Sequence, residues 1–266
     1  MNRPFLTFCL CVCAGLCRAE VSSEELDPFQ EANGKTIMEN VYQRHSQYPF
    51  VYEEQSMILI DRRGNRNTRK LRRYSRVEKA GAANFLLLFD SPGDVKGVAL
   101  LARREPGGES SQSFYLPALS LDFLSNGAAG ESHREEGFLG TDYSIENLIG
   151  EVIDEHQHIR RDDAVIEDVN YYVIDVFSLA VTTDSTVPML RRHYILKDNM
   201  FISRTDHYDD LGKIKKRQTQ HDLTNVHGNM WRANMLMMDD LVQEHRTIIK
   251  VDKRVFSADY VPMEVF

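Results

Sequence analysis

The sequence predicts a mainly β (α+β) protein whose strands form one curled antiparallel sheet around an apolar hollow. Three observations predict it. Short runs of alternating or continuously apolar residues recur along the chain, separated by turns rich in Asp, Asn, Gly and Pro. Only one long stretch carries helical spacing, and it precedes all the strands. Helices and strands do not alternate, so a parallel sheet is not expected.

The helix rests on Ile37, Met38, Val41 and Tyr42, with Asn33 or Gly34 as its start. It must end before Tyr48-Pro49, because the residue preceding a proline leaves the helical region. Phe50 to Ile60 is a long strand turned at Asp61-Arg62-Arg63-Gly64, and the basic return from Asn67 to Val77 is a strand with a solvated outer face. An apolar strand (FLLLF, from Phe85) then runs into Ser91-Pro92-Gly93-Asp94 and re-emerges as a second apolar strand. The spacing predicts strands at 83–90, 97–104, 112–117, 151–160, 169–179, 189–198, 200–208, 212–224, 229–239 and 243–252. Gly137 to Tyr143 leads into a short helix. With about eleven strands a sheet must curl, and one helix covers only part of its concave face. The expected architecture is a half-open antiparallel β-barrel with the N-terminal helix and short helices closing an apolar cavity. The segment 125–136 (SNGAAGESHREE) has no periodic pattern and is the candidate lid.

The N-terminus is a separate object. Arg3 precedes an apolar run from Phe5 to Leu16, and Cys17-Arg18-Ala19 places small residues where a signal peptidase reads. Residues 1–19 are therefore expected to be a signal peptide cleaved after Ala19, residues 20–31 an acidic leader, and residues 32–266 a single domain. Cys9, Cys11, Cys13 and Cys17 all fall in the signal, so the mature chain has no disulfide framework and must be held by its core. Removing Arg3 and Arg18 leaves 30 basic against 40 acidic residues, a net charge of −10. Nucleic-acid binding rests on neutralising phosphates, and this balance argues against it.

The chemistry-bearing patterns are sparse. No Gly-x-Ser-x-Gly, His-Glu-x-x-His or phosphate-cradling loop occurs, and no catalytic residue is expected. His156 and His158 share one face of a strand, with Asp154 of the same parity, but no third ligand follows at close spacing and no metal or other cofactor is expected. Asp206 to Asp210 precede Leu211-Gly212-Lys213, which is turn chemistry. Met230, Met235, Met237 and Met238 share a strand with the sole tryptophan, Trp231. Methionine is unbranched and polarizable, and suits a wall that meets a flexible chain as well as it suits an ordinary core.

Several motifs in order resemble the outer-membrane lipoprotein-sorting proteins, relatives of the LolA/LolB carriers. They are Asp61 to Gly64, Phe89 to Gly97 (FDSPGDVKG), Tyr115 to Leu119 (YLPAL), Gly137 to Tyr143 (GFLGTDY), Tyr208 to Lys213 (YDDLGK) and His245-Arg246-Thr247. One stretch departs from the pattern: Ser120-Leu121-Asp122-Phe123 replaces an arginine-bearing continuation, and Ser113 stands where an aromatic is usual. The resemblance implies a periplasmic, non-enzymatic carrier or chaperone of lipid or lipoprotein acyl chains. It would transfer them toward the outer membrane, in concert with an inner-membrane transporter of the resistance-nodulation-division type or an outer-membrane acceptor. The expected lining of the cavity is Phe85, Leu87, Phe89, Phe114, Leu116, Trp231, Met235 and Met237, with Leu88 facing outward. Two alternatives stay open: a lipid-sensing regulatory module of the same fold, and a secreted hydrolase whose triad assembles only in space.

Overall fold

The structure, a computed structural model, describes residues 27–77, 82–105, 110–117, 121–126, 137–179 and 188–266. The expected signal peptide, most of the leader and residues 127–136 of the candidate lid lie outside the described residues. Residues Ala32–Phe266 form one compact unit. No helix among the described residues is long and apolar enough to cross a membrane.

Helix α1 (Gly34–His45) starts where Asn33 caps it, its side-chain oxygen accepting the Thr36 backbone N–H at 2.9 Å. Ile37, Met38, Val41 and His45 lie along one face and are buried against β7 and β12, defined below. Burial of each large apolar side chain stabilises the docking by at most about 1.5–3 kcal/mol. Gly34 lets the first turn approach closely: a Cβ there would lie 2.5 Å from the His158 carbonyl oxygen.

Thirteen strands form one sheet, all pairs antiparallel. They are β1 (Phe50–Ile60), β2 (Arg66–Val77), β3 (Ala83–Ser91), β4 (Ala99–Arg104), β5 (Ser110–Leu116) and β6 (Leu121–Asn126). After a crossing segment follow β7 (His156–Ile166), β8 (Val169–Ser178), β9 (Met189–Leu196), β10 (Ile202–Tyr208), β11 (Ile214–His227), β12 (Met230–Asp240) and β13 (His245–Val255). Their order is β6-β5-β4-β3-β2-β1-β13-β12-β11-β10-β9-β8-β7. Two meanders thus meet at a seam between the first and last strands, where Met57 faces Ile249 and Ile58 faces Ile248.

The mainly β, antiparallel architecture is as the sequence predicts, and the described residues hold thirteen strands where about eleven are expected. Strand β6 was hidden because its six residues (LDFLSN) abut the small and charged run that reads as loop. Strand β7 begins at His156 rather than 151; Val152 and Ile153 look strand-like, yet Ile153–Glu155 forms a 3-10 turn. The turns match their residues. Asp61 Oδ1 accepts the backbone N–H of Arg63 and Asn65 at 2.8 and 2.9 Å, and Asp209 Oδ1 accepts those of Leu211 and Lys213 at 3.0 and 2.8 Å. Asp206 lies outside the turn. It is buried on β10 between Arg204 and Arg217.

The curl of the sheet follows from one pair of contacts. Arg104 on β4 donates to the Gly150 carbonyl at 3.4 Å, and Arg191 on β9 grips the adjacent Glu151. Those strands are eight inter-strand spacings apart, roughly 38 Å in a flat sheet. Two arginine side chains cannot bridge that distance, so the sheet bends round until both reach the same point of the crossing segment.

Candidate functional site

The concave face is a surface with two chemistries and a strap across it. Its apolar half is a core of Met57, Leu71, Leu87, Phe89, Leu100, Met238 and Ile249, joined by Phe138 and Tyr143 from the strap. Packed against this core, but only partly buried, are Leu59, Phe114, Leu116, Leu139, Ile145, Leu148 and Leu236. The inner face therefore keeps Leu59, Phe114, Leu116 and Leu236 only partly covered, beside Leu139, Ile145 and Leu148 of the strap itself.

The strap is the chain from Gly137 to Glu155, with a 3-10 turn at Phe138–Gly140 and helix α2 (Ile145–Ile149). Its first end is fixed by polar contacts to β2, β11 and β13. Arg69 Nη1 donates to the Leu139 carbonyl at 2.8 Å, Lys216 Nζ to the Asp142 carbonyl at 3.0 Å, and Thr247 Oγ1 to Asp142 Oδ2 at 2.7 Å. The Phe138 ring lies 6.1 Å from Phe89 and 5.5 Å from Phe114. Ser144 and Asn147 form a reciprocal cap that starts α2. Gly137 is obligatory at the entry: a Cβ would lie 1.8 Å from the Thr141 carbonyl oxygen. The variant Gly137→Ala is expected to lose about 3 kcal/mol of stability. Thermal melting checks this, and an unchanged Tm would show that the strap can be rerouted.

The second end is a latch of buried charges. Arg191 Nη2 donates to Glu146 Oε1 at 2.9 Å and contacts Glu151 Oε2. His156 donates from Nδ1 to the Val152 carbonyl at 3.1 Å, which leaves Nε2 to accept from Arg191 Nη2 at 3.3 Å. His158 Nε2 and His193 Nε2 lie 3.5 and 3.6 Å from the Glu151 carboxylate. Burial alone would raise the Glu151 pKa, but the charges of Arg191 and His193 outweigh it and hold the carboxyl well below its ordinary value. Burial also lowers the His193 pKa, against the opposing pull of Glu151.

Glu146, Glu151 and His156 offer ligand atoms within 4.8 Å of one another, the spacing of a metal site. The Arg191 guanidinium already contacts all three and supplies the positive charge they surround. Asp154, of the same parity as the histidines, pairs instead with Lys35 of α1 at 2.8 Å. The cluster is a strap anchor by its geometry.

The residues expected to line a cavity divide into three groups. Phe85, Leu87 and Phe89 are buried on one face of β3, while Leu86 and Leu88 alternate to the other face and are half-buried. Phe114 and Leu116 pack on the apolar core from β5. Trp231, Met235 and Met237 are a correction. Leu236 and Met238 of β12 belong to the inner face, so strand alternation turns these three outward, where Met237 pairs with Ile248 and Met235 with Lys250. The β12 strand is apolar on both sides, and a period of two does not say which parity faces in.

Sequence reasoning missed the polar half of the inner face. Glu53 lies among Arg73, Arg254 and Gln55, with Arg232 close by. Glu53 is 5% exposed in the middle of the strand FVYEEQSMILI, and one of two adjacent glutamates in an apolar run was the available signal. At the other end of α1, His45 staples the helix to the sheet. Its Nδ1 accepts the Trp231 backbone N–H at 3.1 Å, so Nε2 carries the proton and donates to the Met200 carbonyl at 3.0 Å.

Solved structures of three bacterial proteins are similar to this fold. A protein described as an outer membrane lipoprotein-sorting protein domain, from Vibrio parahaemolyticus, is 21% identical with a TM-score of 0.73, over 84% of this chain and 92% of its own. A DUF1329 family protein from Desulfovibrio piger is 20% identical with a TM-score of 0.73, over 87% and 97%. A LolA superfamily protein from Nitrosomonas europaea is 13% identical with a TM-score of 0.65, over 88% and 99%. No curated protein matches the sequence. A family model described as "Uncharacterized protein" matches residues 81–266. The chain belongs to that family, and its fold is the LolA-like fold of the lipoprotein-sorting domains that its motifs resemble.

Proposed function

We propose that the protein is a non-enzymatic carrier that holds the acyl chains of a lipid or lipoprotein on the inner face of its curled sheet. The observation that supports this most directly is that Leu59, Phe114, Leu116 and Leu236, packed on the core from the sheet, stay only partly buried. A strap that merely completed a core would bury them. An acyl chain laid between strap and sheet would gain about 0.8 kcal/mol for each methylene taken out of water. Binding would be passive, and loading or release would require the strap to shift while its polar anchors hold its ends.

In this reading the N-terminal apolar segment is the export signal, the working compartment is the periplasm, and the cargo moves toward the outer membrane. An inner-membrane transporter of the resistance-nodulation-division type would supply the cargo, or an outer-membrane acceptor receive it. The test is mass spectrometry of organic extracts from protein purified from the periplasm without detergent. A stoichiometric lipid or acylated peptide is the expected result and names the cargo. An empty protein that also refuses a fluorescent fatty acyl ester overturns the carrier.

A further inference from the structure

Four adjacent strands carry the same polarity gradient along their inner face. On β2 it runs from Arg73 to Leu71, and on β1 from Glu53 through Gln55 to Met57. On β13 it runs from Arg254 through Val251 to Ile249, and on β12 from Arg232 through Asn234 to Leu236 and Met238. The register aligns these series: Glu53 faces both Arg73 and Arg254, and Met57 faces Ile249. An apolar band of Leu71, Met57, Ile249 and Met238 is therefore bordered on one side by the charged cluster, while Arg69, Thr247 and Asp240 border it on the far side, where the strap is anchored.

The charged end is out of balance. Glu53 is the carboxylate of the cluster, and it pairs with Arg254 at 2.5 Å and Arg73 at 3.5 Å. Arg254 also donates from Nη1 to Asn234 Oδ1 at 3.0 Å and from Nη2 to the Ala233 carbonyl at 2.8 Å. Arg73 also lies 5.8 Å from the centre of the Phe85 ring. Arg232 has one hydrogen bond among the described residues, a 3.3 Å contact from Nη1 to the Trp231 carbonyl, and no carboxylate within ion-pair distance. Its pKa is lowered to about 10, first by burial and then by the charge of Arg254. Among the described residues, three guanidiniums around one carboxylate leave two positive charges in excess at a largely desolvated site. Burying an unpaired charge is costly, and a guanidinium offers a planar fork of donors matched to carboxylate or phosphate oxygens.

We infer that Arg232, supported by Arg73 and Arg254, binds the acidic head group of an amphiphile whose chain lies toward Leu87, Phe89 and Leu236. This rests on the carrier reading and adds the class of cargo: an anionic amphiphile with a carboxylate or phosphate head. The head group would neutralise the excess charge while the gradient along the four strands sets the direction of the tail.

The experiment compares a fluorescent hexadecanoic acid, its methyl ester and a hexadecyl phosphate of the same label, titrated into the wild-type chain, Arg232→Gln and Arg232→Lys. The wild type is expected to bind the acid or the phosphate about tenfold more tightly than the ester, the tighter of the two naming the head group. Arg232→Gln should lose that preference with ester affinity unchanged, and Arg232→Lys should restore part of it, which separates head-group recognition from misfolding. Equal affinity for ester and both anions in the wild type overturns the head-group site and leaves the carrier standing. Failure of all three probes to bind overturns both.

Discussion

Acidification from pH 7 to pH 5 is expected to remove roughly 2–4 kcal/mol of the domain's stability. His45 is held at a pKa of about 4 and His207 at about 3, in each case first by burial, and His193 is lowered by burial as well. In the unfolded chain a histidine titrates near 6.5. Between that value and the folded ones, the unfolded state takes up protons that the folded state refuses. Stability therefore falls as pH drops below about 6.5, by at most about 1.4 kcal/mol per pH unit for each such histidine. His45 shows why the folded state refuses: its Nδ1 accepts the Trp231 N–H, so protonation there would break the staple between α1 and β12. The carboxylates continue the trend at lower pH. Glu53, Glu151, Asp175 and Asp206 are lowered because their arginine partners outweigh burial, so their contribution is present above the unfolded carboxyl value and lost as pH falls through the folded one. Thermal melts between pH 7.5 and 4 check this. A Tm that stays level down to pH 5 would show that these histidines protonate in place without cost.

The second large effect is expected at the latch. Arg191→Met removes the guanidinium that separates Glu146 from Glu151, leaving two carboxylates facing each other at a site where Glu151 is 7% exposed. Breaking a buried pair in this way costs about 3–5 kcal/mol. Glu151→Gln should cost less, because Arg191 keeps Glu146. The double variant should lose much less than the sum of the two single losses, since the second change removes the charge that the first left unpaired. Urea melts of the four proteins provide the cycle, and limited proteolysis reports whether the strap is released at Glu146–Glu155. Strict additivity would mean that Arg191 and Glu151 act independently.

The sequence made the strands legible where both faces obeyed simple rules. Phe50–Ile60 was read to the residue, as apolar content with a charged turn at Asp61 fixes both ends. Helix α1 was legible because its apolar spacing, the Asn33 cap and Pro49 all agree. On β3 the run from Phe85 to Phe89 is apolar on both faces, and the expectation that Leu88 faces outward rests on the resemblance. The structure buries Phe85, Leu87 and Phe89 on one face and leaves Leu86 and Leu88 half-buried on the other. On β12 both parities carry large apolar residues, and only the pairing with β13 decides that Leu236 and Met238 point inward. The latch was beyond local reading for another reason. Glu146, Glu151, His158, Arg191 and His193 come from α2, the strap and two strands, and nothing in their local spacing links them. The same holds for Arg73, Arg232 and Arg254, each an unremarkable strand arginine until the register aligns them.

The seam between β1 and β13 has a consequence for how the hollow comes into being. Each meander pairs neighbours in sequence, so β1 to β6 and β7 to β13 can each assemble through short loops. The seam instead joins Tyr52 to Val255, nearly the whole domain apart, and such closure is slow because its entropy must be spent before its contacts form. Until it closes, the four strands that carry the polarity gradient remain divided, β1 and β2 in one half and β12 and β13 in the other. A nascent or half-folded chain therefore has most of its backbone pairing before the inner face proposed to hold cargo is joined. In the carrier reading, the alignment of Arg73, Arg232 and Arg254 arrives with the last join in the sheet.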